Sequence, residues 1–391
     1  MPDAKEPVLS EEDRKIFEAV EKNDAVLLKT LLTDKKDVNF IDQNLMTPLQ
    51  HAAYKGNSEM VQMLLDQGAD VNLCEHQHKY TALHFAGLSG NVDVCLALLL
   101  AGAKSDVTNS VGRTPSQMAA FVGHHSCVAT INNYVPKQDV DMYTKPSGNR
   151  KEPYLQPFLA ESFHKFIMQV NIHPVKVVVN VQNYVGLIDH LDEVKKVLEL
   201  MSEKEMKKGA ENNETMAFKF HYLSYVVGEV IKIKQRQTTG KSEDDKKLDV
   251  TELFSRKILK PGKDGVLEVM EAFIKECVRE FKFRESNLFR QIVASLTSND
   301  APTALSILTS AINGQRGFID NMSACTTCGE ERASKKCSKC KVVQYCDRNC
   351  QRLHWHWHKK VCAKLAQEEK VAADASQISS HLQNCLISEG N

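Results

Sequence analysis

The chain has 391 residues, of which 42% are hydrophobic, and its 50 Lys and Arg balance its 50 Asp and Glu. This length predicts two or three domains, and the absence of net charge excludes a protein that is basic throughout, as many nucleic-acid binders are. No stretch approaches the roughly 20 apolar residues of a membrane helix, and the N-terminus lacks the apolar segment of a signal peptide. We therefore expect a soluble intracellular protein, whose 12 cysteines need an explanation other than disulfides.

Charge and cysteine are unevenly distributed along the chain. Residues 1–135 contain 11 Lys and Arg against 17 Asp and Glu, a balance of −6, whereas residues 322–364 contain 10 against 3, a balance of +7. Seven of the cysteines lie between Cys325 and Cys362. The two ends are therefore electrically opposite, and the cysteine-rich segment is the first place to seek a metal site.

The first third contains three similar segments, which begin at Thr47, Thr81 and Thr114. Each threonine can cap a helix, and the glycine nine residues later can end that helix in a left-handed conformation. The second half of the segments has apolar residues at helical spacing. A helix pair of this kind cannot bury its apolar face alone, so the segments must stack. Residues before Thr47 match the second half of the unit and predict an N-terminal cap.

The pattern resembles the ankyrin repeat, and residues 1–135 are predicted to form a cap repeat and three repeats that start near residues 45, 79 and 112. The resemblance implies that partner proteins bind the finger tips and the concave face of the stack. The candidate partner-binding residues are apolar or aromatic side chains expected there: Met46, Tyr54, Tyr80, Leu88 and Phe121. The alternative, strongest for Phe121, is that the middle of the chain covers them.

The middle of the chain predicts a helical region without a catalytic motif. Residues 136–150 combine Pro and Gly with no periodicity and predict a linker, whereas residues 151–321 show helical periodicity, clearest at 266–281. Residues 175–185 are rich in β-branched side chains, which favour a strand, but their neighbours are helical and we predict a helix. Residues 235–247 are polar and predict a loop. Because nucleotide-binding and hydrolase motifs are absent, we interpret the region as a docking or spacer domain, with an unrecognised enzyme as the alternative.

The cysteine-rich segment contains four closely spaced ligand pairs: Cys325 with Cys328, Cys337 with Cys340, Cys346 with Cys350, and His358 with Cys362. A gap of two residues lets a turn direct both side chains to one ion, and a gap of three does so on a helix. Eight ligands make two tetrahedral sites with no open position, so we predict two structural zinc ions. The spacing does not decide whether neighbouring or alternate pairs share an ion, and His354 and His356 compete with His358.

The segment Cys325–Cys362 resembles the MYND-type zinc finger, in which the pairs alternate. The resemblance implies one zinc held by Cys325, Cys328, Cys346 and Cys350, and a second held by Cys337, Cys340, His358 and Cys362. It also implies a groove beside the second zinc for a proline-rich peptide, often of the form Pro-x-Leu-x-Pro, at Ser338, Gln351 and Trp355. The strand-like segment Lys341–Tyr345 would border this groove. In the alternative interpretation, Trp355 fills the core of the small domain and Trp357 is the exposed ring.

The predicted fold is mostly α: an ankyrin-repeat solenoid, a helical middle region, a small zinc-bound α+β MYND finger, and a C-terminal tail at residues 363–391. This order resembles the ankyrin-repeat and MYND-domain-containing proteins, which implies a non-enzymatic cytoplasmic adaptor that helps to traffic signalling proteins to the primary cilium. Its partners would be proteins, among them membrane signalling proteins or their chaperones, and we expect neither nucleic acid nor a membrane span. The alternatives are a nuclear transcriptional corepressor and, less favoured, a MYND-containing methyltransferase.

Overall fold

A computed structural model describes residues 9–33, 37–146, 148, 150–209, 212–239, 248–263, 265–298, 300–314, 324–331 and 333–388. The chain divides into two compact units. The first unit contains the N-terminal third up to Met142 together with the end of one later helix, and the second contains the middle region and the cysteine-rich segment. Most described residues are helical and one two-stranded antiparallel sheet lies in the cysteine-rich segment, which confirms the predicted fold class.

The first unit is built from helix pairs, as the repeated segments predict. At the start of the first full repeat, the Thr47 hydroxyl accepts a hydrogen bond from the Gln50 N–H at 3.2 Å, and Gln50 Oε1 accepts one from the Thr47 N–H at 2.9 Å. Gly56 ends the same helix in the left-handed region, at φ 73°. The helices of this unit are α1 (Glu11–Glu21), α2 (Ala25–Leu32), α3 (Pro48–Lys55), α4 (Ser58–Asp66), α5 (Ala82–Ser89), α6 (Val92–Leu100), α7 (Pro115–Val122), α8 (His125–Asn132) and α9 (Lys137–Asp141).

Neighbouring repeats are joined by hydrogen bonds between their loops and by one shared core. Asn91 Nδ2 donates to the Gly56 carbonyl at 2.7 Å, and Asn72 Nδ2 donates to the Gly102 carbonyl at 3.1 Å. The core contains apolar residues from both helices of successive repeats, among them Leu49, Val61, Leu83, Cys95, Leu98 and Cys127. The stacking that a single helix pair requires is therefore present.

The predicted linker, residues 136–150, contains more regular structure than expected. It includes α9 and a 3-10 turn at Met142–Thr144, and the Val140 and Tyr143 side chains are buried. The Pro and Gly content that predicts a linker does not reveal that these two side chains are buried. The boundary between the two units falls between Met142 and Tyr143.

The second unit begins with a helical region and ends with the cysteine-rich segment. Its helices are α10 (Ala160–Ile167), α11 (Pro174–Asn183), α12 (Leu191–Met206), α13 (Glu214–Thr239), α14 (Val250–Ile258), α15 (Glu268–Arg279), α16 (Asn287–Thr297), α17 (Ala304–Asn313) and α18 (Arg348–Ser388). Residues from Thr309 onward in α17 belong to the first unit, where the buried Asn133 Nδ2 donates to Asn313 Oδ1 at 2.9 Å. The strands are β1 (Lys335–Lys336) and β2 (Gln344–Tyr345).

The helices α10 to α16 are called the platform below. Its centre is the packing of α12 against the long helix α13, with α11 and α14 beside them. The β-branched segment 175–185 is helical from Pro174 to Asn183, as predicted, and its buried valines include Val175, Val178 and Val181. Within the described ranges, no helix is both long enough and apolar enough to cross a membrane.

One predicted loop is shorter than expected. Residues 235–247 were expected to be non-helical because they are polar, but α13 continues to Thr239. The Gln237 side chain donates to the Leu248 carbonyl at 2.8 Å, which ties the end of α13 to the start of the next segment. The remainder of that predicted loop, residues 240–247, lies outside the described residues.

Candidate metal centre and interaction surfaces

The first group of ligands is Cys325, Cys328, Cys346 and Cys350, whose sulfur atoms all lie within 4.8 Å of one another. Cys328 Sγ is 3.5 Å from Cys346 Sγ and 3.7 Å from Cys350 Sγ. The turn Cys325–Glu330, called the first knuckle below, is closed by a hydrogen bond from the Cys325 N–H to the Glu330 carbonyl at 2.8 Å. Cys350 lies in the first turn of α18, so a turn and a helix supply the site.

The second group is Cys337, Cys340, His358 and Cys362, whose ligand atoms also lie within 4.8 Å of one another. His358 Nε2 is 3.3 Å from Cys337 Sγ, and Cys337 Sγ is 3.8 Å from Cys362 Sγ. His358 and Cys362 are one turn apart on α18 and therefore share a face. His354 is not in the group: its Nδ1 atom is 3.0 Å from the Tyr345 hydroxyl.

The crowding of thiols favours binding of a cation. Hydrogen bonds from the Cys328 and Cys350 thiols hold the pKa of Cys325 far below its usual range, whereas burial and the neighbouring thiolates raise the pKa of Cys346. One thiolate therefore opposes ionisation of the others, and a divalent cation is needed to hold four together. In the second group, burial is outweighed by the backbone N–H groups of Cys340 and Lys339 and by His358, and the pKa of Cys337 is lowered to about 6.

The two donor sets, four thiols and three thiols with one imidazole, fit two structural zinc ions. Neither set leaves an open position for water or substrate, so the expected role of the metal is to hold the small domain together. The grouping also answers the question that the spacing left open, because alternate rather than neighbouring pairs come together. The eight side chains brought together are those that the MYND resemblance implied.

The finger, residues 324–369, is attached to the platform by α18. The Arg352 guanidinium donates to Asp249 Oδ2 at 3.0 Å and to Glu252 Oε2 at 3.2 Å, both at the N-terminal end of α14. The Trp357 Nε1–H donates to the Arg256 carbonyl in the same helix at 2.9 Å. Sequence reasoning did not find these attachments, because no local pattern links residues about 100 positions apart.

The two tryptophans of the chain have different environments. The Trp357 ring is partly buried, bonds to α14 and lies under the Lys360 ammonium at 4.2 Å from the ring centroid. The Trp355 side chain is 45% exposed, and its ring centroid is 5.9 Å from that of His358, a ligand of the second group. Trp355 is therefore the more exposed of the two rings, and the alternative in which Trp355 fills the core and Trp357 is exposed is wrong.

The other predicted groove residues lie on the finger, but the predicted strand is shorter than expected. Ser338 is exposed and Gln351 is partly buried, one turn before Trp355 on α18. The segment Lys341–Tyr345 was predicted to be a strand, yet only Gln344 and Tyr345 pair with β1. Lys341 has a left-handed backbone, at φ 58°, because the turn around the second ligand pair ends there. That turn is closed by a hydrogen bond from the Lys341 N–H to the Cys337 carbonyl at 2.9 Å.

Two of the five predicted partner-binding residues of the repeats are exposed. The Tyr54 and Phe121 side chains are 55% and 71% exposed, while Tyr80 and Leu88 are partly buried and pack against the core of the stack. Met46 is only 9% exposed and belongs to that core, so its assignment to the surface is wrong. The reason is the finger turn: Asp42 Oδ1 accepts the Met46 N–H at 2.8 Å, and the two backbones are also hydrogen-bonded.

Sequence reasoning missed an aromatic cluster beside Tyr80. The Tyr80 ring stacks on the rings of His76 and His84, with centroids 5.2 Å and 5.5 Å away, and Phe85 meets it edge to face at 5.4 Å. The Tyr54 ring in turn meets Phe85 at 5.9 Å. Burial lowers the pKa of His76, so its ring is neutral near pH 7.

Comparison with known proteins agrees with this geometry. Residues 16–109 match the model of ankyrin repeats, in three copies, and residues 325–362 match that of the MYND finger. Dauer abnormal formation protein 25 of Caenorhabditis elegans is 31% identical over 363 residues, which cover 91% of this chain and 92% of that protein. Human palmitoyltransferase ZDHHC17 is 38% identical over 106 residues, and the E3 ubiquitin-protein ligase hecd-1 of C. elegans is 35% identical over 102. Those two matches cover only 16% and 4% of the longer proteins.

The fold and the two ligand groups define an ankyrin-repeat protein with a C-terminal MYND-type zinc finger, that is, a chain with two modules of protein–protein interaction. The similarity to one relative extends through the platform as well as both modules. The chain belongs to the same family as Dauer abnormal formation protein 25.

Proposed function

We propose that the protein is a non-enzymatic adaptor that binds one partner on the ankyrin stack and a proline-rich peptide on the finger. The observation that carries the second part is the contrast between Trp357, which is bonded to the platform, and Trp355, which is 45% exposed beside the second ligand group. An exposed indole next to a rigid metal-bound turn offers a flat apolar wall to proline rings. In this proposal Gln351, one turn before Trp355 on α18, and the exposed Ser338 complete the peptide site.

The chain carries a segment of its own that has the expected ligand form, Pro153-Tyr-Leu-Gln-Pro157. This segment does not compete for the groove in the described fold, because Leu155 is fully buried in the second unit. The backbone N–H groups of Tyr154 and Leu155 both donate to the Tyr143 carbonyl at 3.0 Å. The proposed ligand is therefore a peptide of another protein and not this segment.

The test is peptide binding by the full chain and by matched tryptophan variants. A fluorescein-labelled peptide with two Pro-x-Leu-x-Pro motifs should bind the wild type and lose at least tenfold in affinity with Trp355→Ala, by fluorescence anisotropy. Trp357→Phe keeps an aromatic ring but loses the hydrogen bond to α14, and because it leaves Trp355 in place it should bind nearly normally. Zinc content is measured for each variant, and unchanged binding by Trp355→Ala with two zinc ions would refute the groove.

The second surface is supported by the exposure of Tyr54 and Phe121, which occupy equivalent positions at the ends of α3 and α7. Large exposed apolar side chains at matching positions of a repeat stack are typical of a binding surface. Replacing both with Ala should reduce capture of a partner and change the melting temperature little, since exposed substitutions cost within about 0.5 kcal/mol. Val26→Ala, at another exposed apolar position of the stack, is the control.

The cellular part of the proposal rests on the family resemblance: the adaptor acts in the cytoplasm and helps membrane signalling proteins or their chaperones to reach the primary cilium. Imaging of tagged protein, and of cilia in cells that lack it, tests this statement. Loss of signalling proteins from cilia, restored by the wild type and not by Trp355→Ala, is the expected result. Accumulation in the nucleus would instead support the corepressor alternative.

A further inference from the structure

The first knuckle is bonded to a platform loop that lies outside the finger. The Asn171 amide donates to the Cys328 carbonyl at 3.1 Å and to Glu330 Oε2 at 3.0 Å. Asn171 Oδ1 accepts the His173 N–H at 2.9 Å, which fixes the orientation of the amide. The side chain of Asn171 therefore connects the backbone of a zinc ligand to the start of α11.

A positive charge lies at the same place. Lys176, in the first turn of α11, has its Nζ atom 3.3 Å from Glu330 Oε2, and its side chain is only 30% exposed. Burial disfavours its charged form, but the Glu330 carboxylate opposes this effect and the pKa of Lys176 is raised. Four thiolates around one Zn²⁺ leave a net charge of about −2, so an ammonium group nearby stabilises the loaded site.

The packing around the knuckle leaves little space. Gly329 has a left-handed backbone, at φ 66°, and a Cβ atom built there would lie 3.4 Å from the His173 ring. His173 is itself buried, and its Nδ1 atom accepts the Val175 N–H at the beginning of α11. The knuckle is thus held against the end of α11 by hydrogen bonds, charge and contact together.

The second ligand group differs from the first in its contacts with the platform. Among the described residues, no platform side chain forms a hydrogen bond or ion pair with Cys337, Cys340, His358 or Cys362. The Nδ1 atom of His358 is buried and has no hydrogen-bond partner among the described residues. A metal-binding histidine usually donates this N–H to an acceptor, which strengthens the site.

We propose that the platform forms the outer layer of the first zinc site, with Asn171 and Lys176 as positioning residues that slow the loss of its metal. Retention of the first zinc then depends on Asn171 and Lys176, and retention of the second does not. The pairing of the two sites in one finger supplies an internal control, since a variant of the platform should affect one metal and leave the other unchanged.

The experiment uses the full chain loaded with Co²⁺, because a four-thiolate site and a three-thiolate, one-imidazole site absorb differently in the visible range. Excess EDTA is added and both absorption bands are followed with time. Removing outer partners of a metal ligand usually costs about ten- to 100-fold in metal affinity. If this loss appears in the dissociation rate, Asn171→Ala combined with Lys176→Ala should lose metal from the four-thiolate site about ten to 100 times faster. The band of the other site should decay at the wild-type rate.

Three further variants make the result decisive. Lys176→Arg keeps the charge and should lose metal from the four-thiolate site nearly as slowly as the wild type. Lys165→Ala removes an exposed platform lysine that is paired with Glu161, and this change should leave the decay of both bands unaltered. Lys176→Gln alone is a milder change that should still speed the first site severalfold, even if the double variant folds poorly. Equal rates in wild type and Lys176→Gln would overturn the proposal, and so would equal acceleration of both sites.

Discussion

Lys219 is a fully buried lysine, and its replacement should stabilise the protein. It lies in α13, fully buried, and its Nζ atom has no hydrogen-bond partner among the described residues. Burial lowers the pKa of Lys219 from 10.5 to about 7. The neighbouring Phe218 and Phe220 are also buried, so methionine, which has similar length and no charge, suits the position.

The size and sign of the effect follow from the two pKa values. The fall from 10.5 to about 7 corresponds to a penalty on the order of 5 kcal/mol at low pH, where both folded and unfolded chains hold the proton. Between pH 7 and 10.5 the unfolded chain binds the proton more strongly, so the stability of the wild type rises with pH across this window. Lys219→Met should exceed the wild type by on the order of 5 kcal/mol below pH 7 and by about 2 kcal/mol at pH 9.

The measurement is urea unfolding followed by tryptophan fluorescence at several pH values. Both tryptophans of the chain lie on α18, and Trp357 is bonded to α14, so the signal reports the second unit. Lys232→Met is the matched control, because Lys232 is an exposed lysine on the same helix, paired with Glu229. Its effect should stay within about 0.5 kcal/mol at every pH. A Lys219→Met protein that is no more stable than the wild type at pH 6.5, or whose advantage is the same at pH 6.5 and 9, would show that this amine is not buried as described.

Three other predictions concern the metal, a turn and an attachment. Purified protein should contain two zinc ions by elemental analysis, and Cys340→Ser should reduce this to about one; a value of two in the variant would contradict the second site. Gly90→Ala should destabilise the repeats by about 2 kcal/mol more than Gly68→Ala, measured by urea unfolding with circular dichroism. Both glycines have positive φ, but of the two only Gly90 would bring a Cβ atom against a neighbour, the His124 ring at 2.6 Å. Arg352→Ala should lower the free energy of unfolding by no more than about 1 kcal/mol, because the Arg352 side chain is half exposed in its ion pairs. The same change should speed amide hydrogen exchange at the start of α14, and unchanged exchange would argue against the attachment.

Local patterns predicted the features that are decided locally. The helix pairs of the repeats follow from threonine caps, glycine ends and apolar spacing, and the zinc ligands follow from pairs of cysteines at short intervals. The helices of the platform follow from periodicity, including α11, where the periodicity of the neighbouring segments was a better guide than the β-branched composition. In each case the information lies within one or two turns of the residue concerned.

The features that the sequence did not reveal depend on contacts between distant segments. Met46 turns into the core because Asp42 bonds to its backbone, whereas repeat spacing alone places it at the surface. The platform contacts of the first knuckle join Asn171 to Glu330, which are 159 positions apart. The choice between Trp355 and Trp357 also depends on a distant acceptor in α14. No pattern in the neighbourhood of these residues encodes the partner.

The valine-rich composition of α11 has a consequence for the order of folding. Valine restricts its side chain when helical, and a ten-residue helix of this composition is not stable alone in water. The segment therefore becomes helical only when α13 and α14 are in place to cover Val175, Val178 and Val181. Removing a methyl group there should raise the unfolding rate and leave the folding rate nearly unchanged. Because Lys176 lies on this late helix, a newly made chain completes the surroundings of its first metal only after the helical region has folded.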